Sequence, residues 1–312
     1  MLEALKAKQK PAPAVDPGAP EDWSGRKLIR TGSQKGSTEG GFFRDEETGI
    51  DYYLKTPKDE AIARNEVLAA KLYELAGVDV PELTLIQRNG KIQIASKVIP
   101  DVQKIVLPID PAIYPGLYDD FAVDAWLANW DVVGLEYDNL LVKGKKFYRI
   151  DVGGSLLYRA QGTPKGSKFG TQVDELNSLL DAGINPQSAK VFGNITQEAI
   201  AKSAQKVASV SDADIRRVVD LYGPGDLAAK PALAEQLIAR KADLLKRTGT
   251  DLAEQILKQV VEQEQSMSSG LIEEVYARFV TAIKGIASRA SSKTPAQAKD
   301  LQRVKDGETG HP

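Results

Sequence analysis

Between positions 41 and 100 the apolar residues fall first at strand spacing and then at helix spacing. Gly41-Phe42-Phe43-Arg44 reads as a strand, residues 45–49 as a turn, and residues 50–55 as a second strand rich in β-favouring side chains. On the second strand Ile50, Tyr52 and Leu54 share one face, and Asp51, Tyr53 and Lys55 share the other. Pro57 stops that strand, and Asp59 is placed to cap a helix that runs to about Ala76 and is closed by Gly77. Ile62, Asn65, Leu68, Ala69, Leu72, Tyr73, Leu75 and Ala76 form the broad inward face of this helix. Glu66 falls at the edge of that face, and Glu60, Arg64, Lys71 and Glu74 lie on the solvent side. A glutamate at such an edge often has a cation partner, and Lys55 is the nearest candidate. Asn89-Gly90 between apolar runs at 83–87 and 91–98 marks a hairpin. Ile99-Pro100-Asp101 then breaks the pattern as a hinge.

Residues 101–118 are loop-rich, with Pro108, Pro111 and Pro115. The stretch 119–155 organises the rest. An almost wholly apolar helix over 121–130 delivers Asp131, and Asp138-Asn139 follows. Two short apolar runs, Leu140-Leu141-Val142 and Phe147-Tyr148-Arg149-Ile150, flank Lys143-Gly144-Lys145-Lys146 as a hairpin. The second run ends on Asp151-Val152-Gly153-Gly154. An acid at the end of a core strand is costly unless something binds it. A second Gly/Lys/Ser loop occupies 161–170, and beyond it helices dominate. Ser211-Asp212 caps one, 231–247 forms another, and 251–265 and 271–288 are long and amphipathic. Residues 1–24, with Lys10-Pro11-Ala12-Pro13 and further Pro and Ala, read as a disordered leader, and 291–312 as a flexible tail.

Composition removes several chemistries. The 312 residues carry no cysteine, which excludes thiol catalysis and Cys-ligated zinc, and their single histidine is His311 near the end. A histidine base and a Ser-His-Asp triad are excluded with it. A net charge of −2 argues against general nucleic-acid binding. No apolar run reaches the ~18 residues of a membrane helix. The absence of a secretory h-region and of cysteine fits the cytoplasm. One glycine-rich stretch remains, 31–41, with Gly32, Ser33, Gly36, Ser37, Gly40 and Gly41. Such a stretch offers amides to phosphate, although it is neither a Walker A motif nor a dinucleotide fingerprint.

Read in order, a glycine-rich loop, a strand lysine, a helix glutamate, a hairpin, a hinge, a buried helix, Asp, Asn, a hairpin and Asp-x-Gly resemble the protein-kinase-like superfamily over about residues 30–160. The wording Asn129-Trp130-Asp131 and Ile150-Asp151-Val152-Gly153 is similar to atypical members: HipA-like and CotH-like bacterial kinases and lipid kinases. There is also a similarity to phage-encoded proteins, which no short motif carries. The resemblance implies an α+β, bilobal fold. Its N-lobe (25–100) would be a small antiparallel sheet with one helix, and its C-lobe (101–290) larger and mostly helical. It implies ATP and Mg²⁺ as cofactors. Lys55 would hold phosphates and Glu66 would fix Lys55. Asp151 and Asn139 would ligate the metal, and Asp131 would take the hydroxyl proton. The amides of Gly32, Ser33, Gly36, Ser37 and Gly40 would cover the phosphates, and the backbone of Val98 would meet adenine.

The chain also departs from the common pattern. No His-Arg accompanies Asp131, the glycine loop lacks Gly-x-Gly-x-x-Gly, and Asp131 and Asn139 stand eight positions apart instead of five. Either the loop carries an insertion or Asp138 shares the role of Asp131. Three functions fit: a kinase acting on a protein hydroxyl, an adenylyl transferase on the same scaffold, and a pseudokinase or structural binding module of a phage particle. The expected localisation is the cytoplasm, or the host cytoplasm or virion for a phage protein. The long C-terminal helices suit docking onto a larger assembly.

Overall fold

The computed structural model describes residues 18–110, 112–250 and 281. The C-terminal helices expected at 251–265 and 271–288, their docking role, the tail, and residues 1–17 of the leader lie outside these residues. A six-stranded sheet forms the N-terminal layer, built from β1 (Glu21–Asp22), β2 (Leu28–Gly32), β3 (Glu39–Asp45), β4 (Asp51–Thr56), β5 (Leu83–Arg88) and β6 (Lys91–Lys97). Its order is β1-β5-β6-β4-β3-β2, antiparallel except where β1 runs alongside β5. Helix α1 (Glu60–Leu75) starts as the sequence predicts, with the Asp59 carboxylate accepting from the Ile62 N–H.

Strand alternation gives the sheet two different faces. Leu54 packs outward with Trp23, Ile86 and Ala95, bordered by Leu28, Phe43 and Tyr52. Lys55 points the other way, toward Glu66 of α1, and Tyr53 shares its side of the strand. Two expectations change here. The disordered leader does not reach residue 24, because Trp23 is 2% exposed and Arg26 stacks on its ring at 3.9 Å. One large aromatic gives this Pro/Ala-rich segment something to bury. The glycine-rich loop is also shorter than its composition suggests: Gly32 lies at the end of β2, and Gly40 and Gly41 lie in β3. A Cβ at Gly40 would sit 2.4 Å from the Leu54 carbonyl oxygen, so this close strand pairing needs a glycine.

Beyond the hinge the chain enters a small sheet in the order β7-β8-β9, made of β7 (Gln103–Lys104), β8 (Leu140–Lys143) and β9 (Lys146–Arg149). Among the described residues beyond the hinge, the α-helices with defined bounds are α2 (Phe121–Trp126), α3 (Glu175–Ser178), α4 (Pro186–Phe192), α5 (Gln197–Ala208), α6 (Asp212–Tyr222) and α7 (Ala229–Thr248). All side chains of α2 are buried, and α5 and α7 pack around it. The helix expected over 121–130 stops at Trp126, and Ala128 adopts φ +52°. Arg240 of α7 accounts for the stop, since its guanidinium donates to the Trp126 and Ala125 carbonyls and so satisfies the helix end. Asp131 therefore sits in a loop and not at the end of a helix.

One buried charge cluster ties these parts together. The Arg149 guanidinium donates to both carboxylate oxygens of Asp124 (3.1 and 2.7 Å) and to Asp120 (2.8 Å). The Tyr73 hydroxyl of α1 donates to Asp124 at 2.9 Å and accepts from the Asn129 amide at 3.1 Å. Removing one partner of such a cluster leaves an uncompensated buried charge, at a cost of about 3–5 kcal/mol. Arg149→Leu is expected to destabilise the protein by about that much in urea unfolding. A variant as stable as wild type would show that the cluster contributes nothing to holding the fold.

Candidate active site

Three elements converge on the Lys55 ammonium. β4 carries Lys55, α1 carries Glu66, and the segment after β9 carries Asp151. Lys55 Nζ lies 2.7 Å from Glu66 Oε1 and 3.0 Å from Asp151 Oδ1. Burial pulls the lysine pKa down, but the two carboxylates outweigh it and hold the ammonium above the ordinary lysine range. Burial and the Asp151 charge together push Glu66 up, against the pull of Lys55. Asp151 is held low: burial would raise it, but the adjacent ammonium and the Gly153 N–H win. Its side chain is 45% exposed and opens on a cavity of about 390 Å³ that Ser37, Lys55, Glu66 and Gly153 also line.

Asp131 and Asn139 form the other half of the site. The Asn139 amide donates to the Asp131 carbonyl (2.9 Å) and to its Oδ2 (3.0 Å). Burial first, then the Asp151 charge, raise the Asp131 carboxyl to about 6, with Asn139 opposing. Asp138 stands apart, with its side chain 51% exposed and 4.0 Å from Lys104. The two glycines after Asp151 let the halves approach. A Cβ at Gly153 would lie 3.0 Å from Glu66 Oε2, and one at Gly154 would lie 3.0 Å from the Asp131 Cβ.

The donor set suits a hard divalent ion shared with phosphate. Among the described residues, Asp151 Oδ2 and Asn139 Oδ1 have no hydrogen-bond partner, while their other polar side-chain atoms are engaged. No group of three or more His, Cys, Asp or Glu among the described residues could cage a metal alone. Mg²⁺ is commonly held in this way, by one or two protein oxygens with water and phosphate completing the shell.

The expected residues of the glycine-rich stretch fall into two groups. Ser33, Gly36 and Ser37 lie exposed in the turn between β2 and β3, with Gly36 at φ +71°. The turn is tethered, because Tyr53 Oη accepts from the Lys35 N–H (2.8 Å) and donates to the Lys35 carbonyl (2.7 Å). Gly32 and Gly40 belong to paired strands, where close packing leaves no room for a side chain. The adenine contact expected at the Val98 backbone is narrowed, since its N–H donates to the Asp51 carbonyl at 2.9 Å. The last rung of the β4–β6 ladder engages that donor, which leaves only the Val98 carbonyl for a ligand.

Three positioning groups were not read from the sequence. Asn65 on α1 donates to the Ser155 carbonyl (3.0 Å) and accepts from the Leu157 N–H (3.1 Å), fixing the segment after Asp151 against the helix. Its place on an apolar helix face was the available sign, since a buried amide needs partners. Asn129 is fully buried, and its side-chain Oδ1 accepts the Asp131 N–H at 3.2 Å. Lys165 is buried beneath both loops and donates to the Ala128 carbonyl (2.7 Å) and the Gly154 carbonyl (2.8 Å). Desolvation lowers it to about 7 against the pull of Glu175.

The raised Asp131 pKa has a consequence for stability. A carboxyl raised in the folded state costs stability as pH rises from its ordinary value, 3.8, through its folded value, about 6, and the cost is complete above that. Without nucleotide or Mg²⁺, Asp131→Asn should therefore melt above wild type at about pH 7.5, with the gap closing as pH falls through 6 toward 4. Equal melting temperatures across that range would show that Asp131 is not strained by its surroundings.

No protein-family model matches the sequence, and no curated protein matches it. Among solved structures, a Helicobacter pylori proinflammatory kinase, CtkA, superposes with a TM-score of 0.53 at 16% identity, covering 76% of this chain and 99% of that one. The N-terminal fragment of LepB from Legionella pneumophila reaches a TM-score of only 0.36 at 15% identity over 65% of this chain and 46% of that one, and bears no weight. The mixed α+β architecture and the CtkA superposition give this chain a kinase-like fold.

Proposed function

We propose that the protein is a Mg-ATP-dependent phosphotransferase that moves the γ-phosphoryl group to an alcohol, with a protein hydroxyl as the acceptor. The observation that carries this reading is the Lys55 ammonium held between Glu66 and Asp151, beside the Asp131–Asn139 pair. Phosphoryl transfer depends on positioning and charge more than on covalent help. Lys55 would neutralise phosphate oxygens, with Glu66 fixing its direction. Mg²⁺, held by Asp151 Oδ2 and Asn139 Oδ1, would supply further neutralisation of those oxygens. The acceptor oxygen forms a bond to the γ-phosphorus as the bond to the β,γ-bridging oxygen breaks, and ADP leaves. The hydroxyl proton passes to Asp131 Oδ1, because Oδ2 is engaged by Asn139. A carboxylate near pKa 6 is well matched to that task, and the engagement of Asp131 supports it over the surface-exposed Asp138. CtkA, which shares the fold, is itself described as a kinase.

Intact mass after incubation with Mg-ATP tests the reading. Wild type should gain a phosphoryl increment, Asp151→Ala should gain none, and Lys55→Met should react about 10²-fold more slowly. An adenylyl increment would replace phosphoryl transfer with nucleotidyl transfer on the same site. No increment, together with no thermal stabilisation by Mg-ATP, would overturn the reading and leave a binding module.

A further inference from the structure

The segment after Asp151 turns back on itself at residues 158–164. The Arg159 N–H donates to the Thr163 carbonyl (2.9 Å), and the Gly162 N–H donates to the Arg159 carbonyl (2.8 Å). Gly162, at φ +77°, sets this turn against α1, where a Cβ would lie 2.8 Å from Ile62 Cδ1. The turn borders the cleft. Ala160, Gln161 and Gly162 line the cavity onto which Asp151 opens. A Cβ on Gly154 would lie 3.0 Å from the Asp131 Cβ and 3.6 Å from the Ala160 N, which sets the Arg159–Ala160 peptide beside Asp131.

Arg159 is exposed, yet its side chain has a seat. Its Cζ lies 5.2 Å from the ring centre of Trp130, which precedes Asp131 in the chain. Trp130 is held in turn, with its Nε1 donating to Glu175 Oε1 (2.8 Å) and its carbonyl accepting from the Asn185 amide (2.8 Å). A second cation, the buried Lys165, lies 4.7 Å from the same ring centre. The carboxylate that meets this ring, Glu175, is already taken by Trp130 and by Arg240 (2.8 Å). Among the described residues, the Arg159 guanidinium has neither a carboxylate nor a hydrogen-bond partner. It is always charged, and contact with a ring leaves its fork of N–H donors for a ligand. Stacking has already restricted the side chain, so a bound group orders it at less entropic cost.

Resting on the phosphotransferase reading above, we propose that Arg159 recognises the acceptor: it binds an oxyanion, carboxylate or phosphate, carried near the reacting hydroxyl, so that the acceptor is an acidic stretch of protein chain. Asp131 and Asp151 repel such a chain at short range, and a guanidinium at the edge of the cleft offsets that repulsion. A planar fork meets either oxyanion with two parallel N–H bonds, which an ammonium does not.

The test measures transfer from Mg-ATP by the full chain to four peptides that each hold one serine, flanked by glutamate, phosphothreonine, alanine or lysine. Wild type should favour the glutamate or the phosphothreonine peptide over the alanine peptide by about 10-fold or more in kcat/KM, mainly through KM. The better of the two identifies the oxyanion. Arg159→Gln should bring that ratio within about 2-fold by slowing the acidic peptide, and Arg159→Lys should keep part of it. Three results would each overturn the proposal: a wild type that favours neither acidic peptide, an unchanged ratio in Arg159→Gln, or an equal loss on all four peptides, as expected if the side chain only props Trp130. If no peptide is phosphorylated, calorimetric titration decides. The glutamate or phosphothreonine peptide should then bind Arg159→Gln about 10-fold more weakly than wild type, and absent or equal binding overturns the proposal. Failure of the chain to transfer phosphate even to itself is a separate outcome, which removes the phosphotransferase reading and leaves the oxyanion site to the titration.

Discussion

One buried ammonium sets the geometry of the cleft. Lys55 Nζ is within 3.0 Å of carboxylates from two different parts of the chain, so the sheet, α1 and the segment after β9 must meet at a single point. A buried ion pair of this kind contributes little net stability, because desolvation consumes most of the Coulombic gain. Its effect is on placement. The cleft gathers three acids, Glu66, Asp131 and Asp151, around this lysine, and the excess negative charge helps push Asp131 above its ordinary range. A site built in this way holds the Asp131 carboxyl under electrostatic strain.

The second buried cluster acts at one remove. Arg149 stands two residues before Asp151, Asn129 two before Asp131, and Tyr73 two helical turns after Glu66. Asp124 receives Arg149 and Tyr73, and Tyr73 in turn receives Asn129. The network thus fixes the segments that carry Glu66, Asp131 and Asp151 without entering the cleft. Lys165 works the same way from below, holding the carbonyls of Ala128 and Gly154 on one ammonium. Low dielectric makes such networks strong when complete and costly when broken.

The pairing of Lys55 with Glu66 could be read from the strand and helix periods, because alternation and the 100° step fix which face each side chain takes. The helix cap at Asp59, the Asn89-Gly90 hairpin and the acid just after β9 were legible for the same reason: each is dictated by a few neighbouring residues. The end of α2 was not legible. Nothing within 121–130 forbids a helix, and the stop depends on Arg240, which is over a hundred positions away.

The sequence by itself determined which side chains were available for chemistry and which face of its element each would occupy, since both are local properties. Tertiary structure decided how close they come. Gly153 and Gly154 stood out after the acid, but only packing shows that they bring Glu66 and Asp131 to within 3.0 Å of where a Cβ would sit, tighter than most such contacts. Gly32 and Gly40 looked equivalent to Gly36, yet strand pairing claims the first two and leaves the third in the turn. The fates of the Val98 N–H and the Tyr53 hydroxyl were likewise set by partners that the local sequence does not name. Hydrogen bonds and close contacts between distant segments depend on the whole fold, and no local periodicity encodes them.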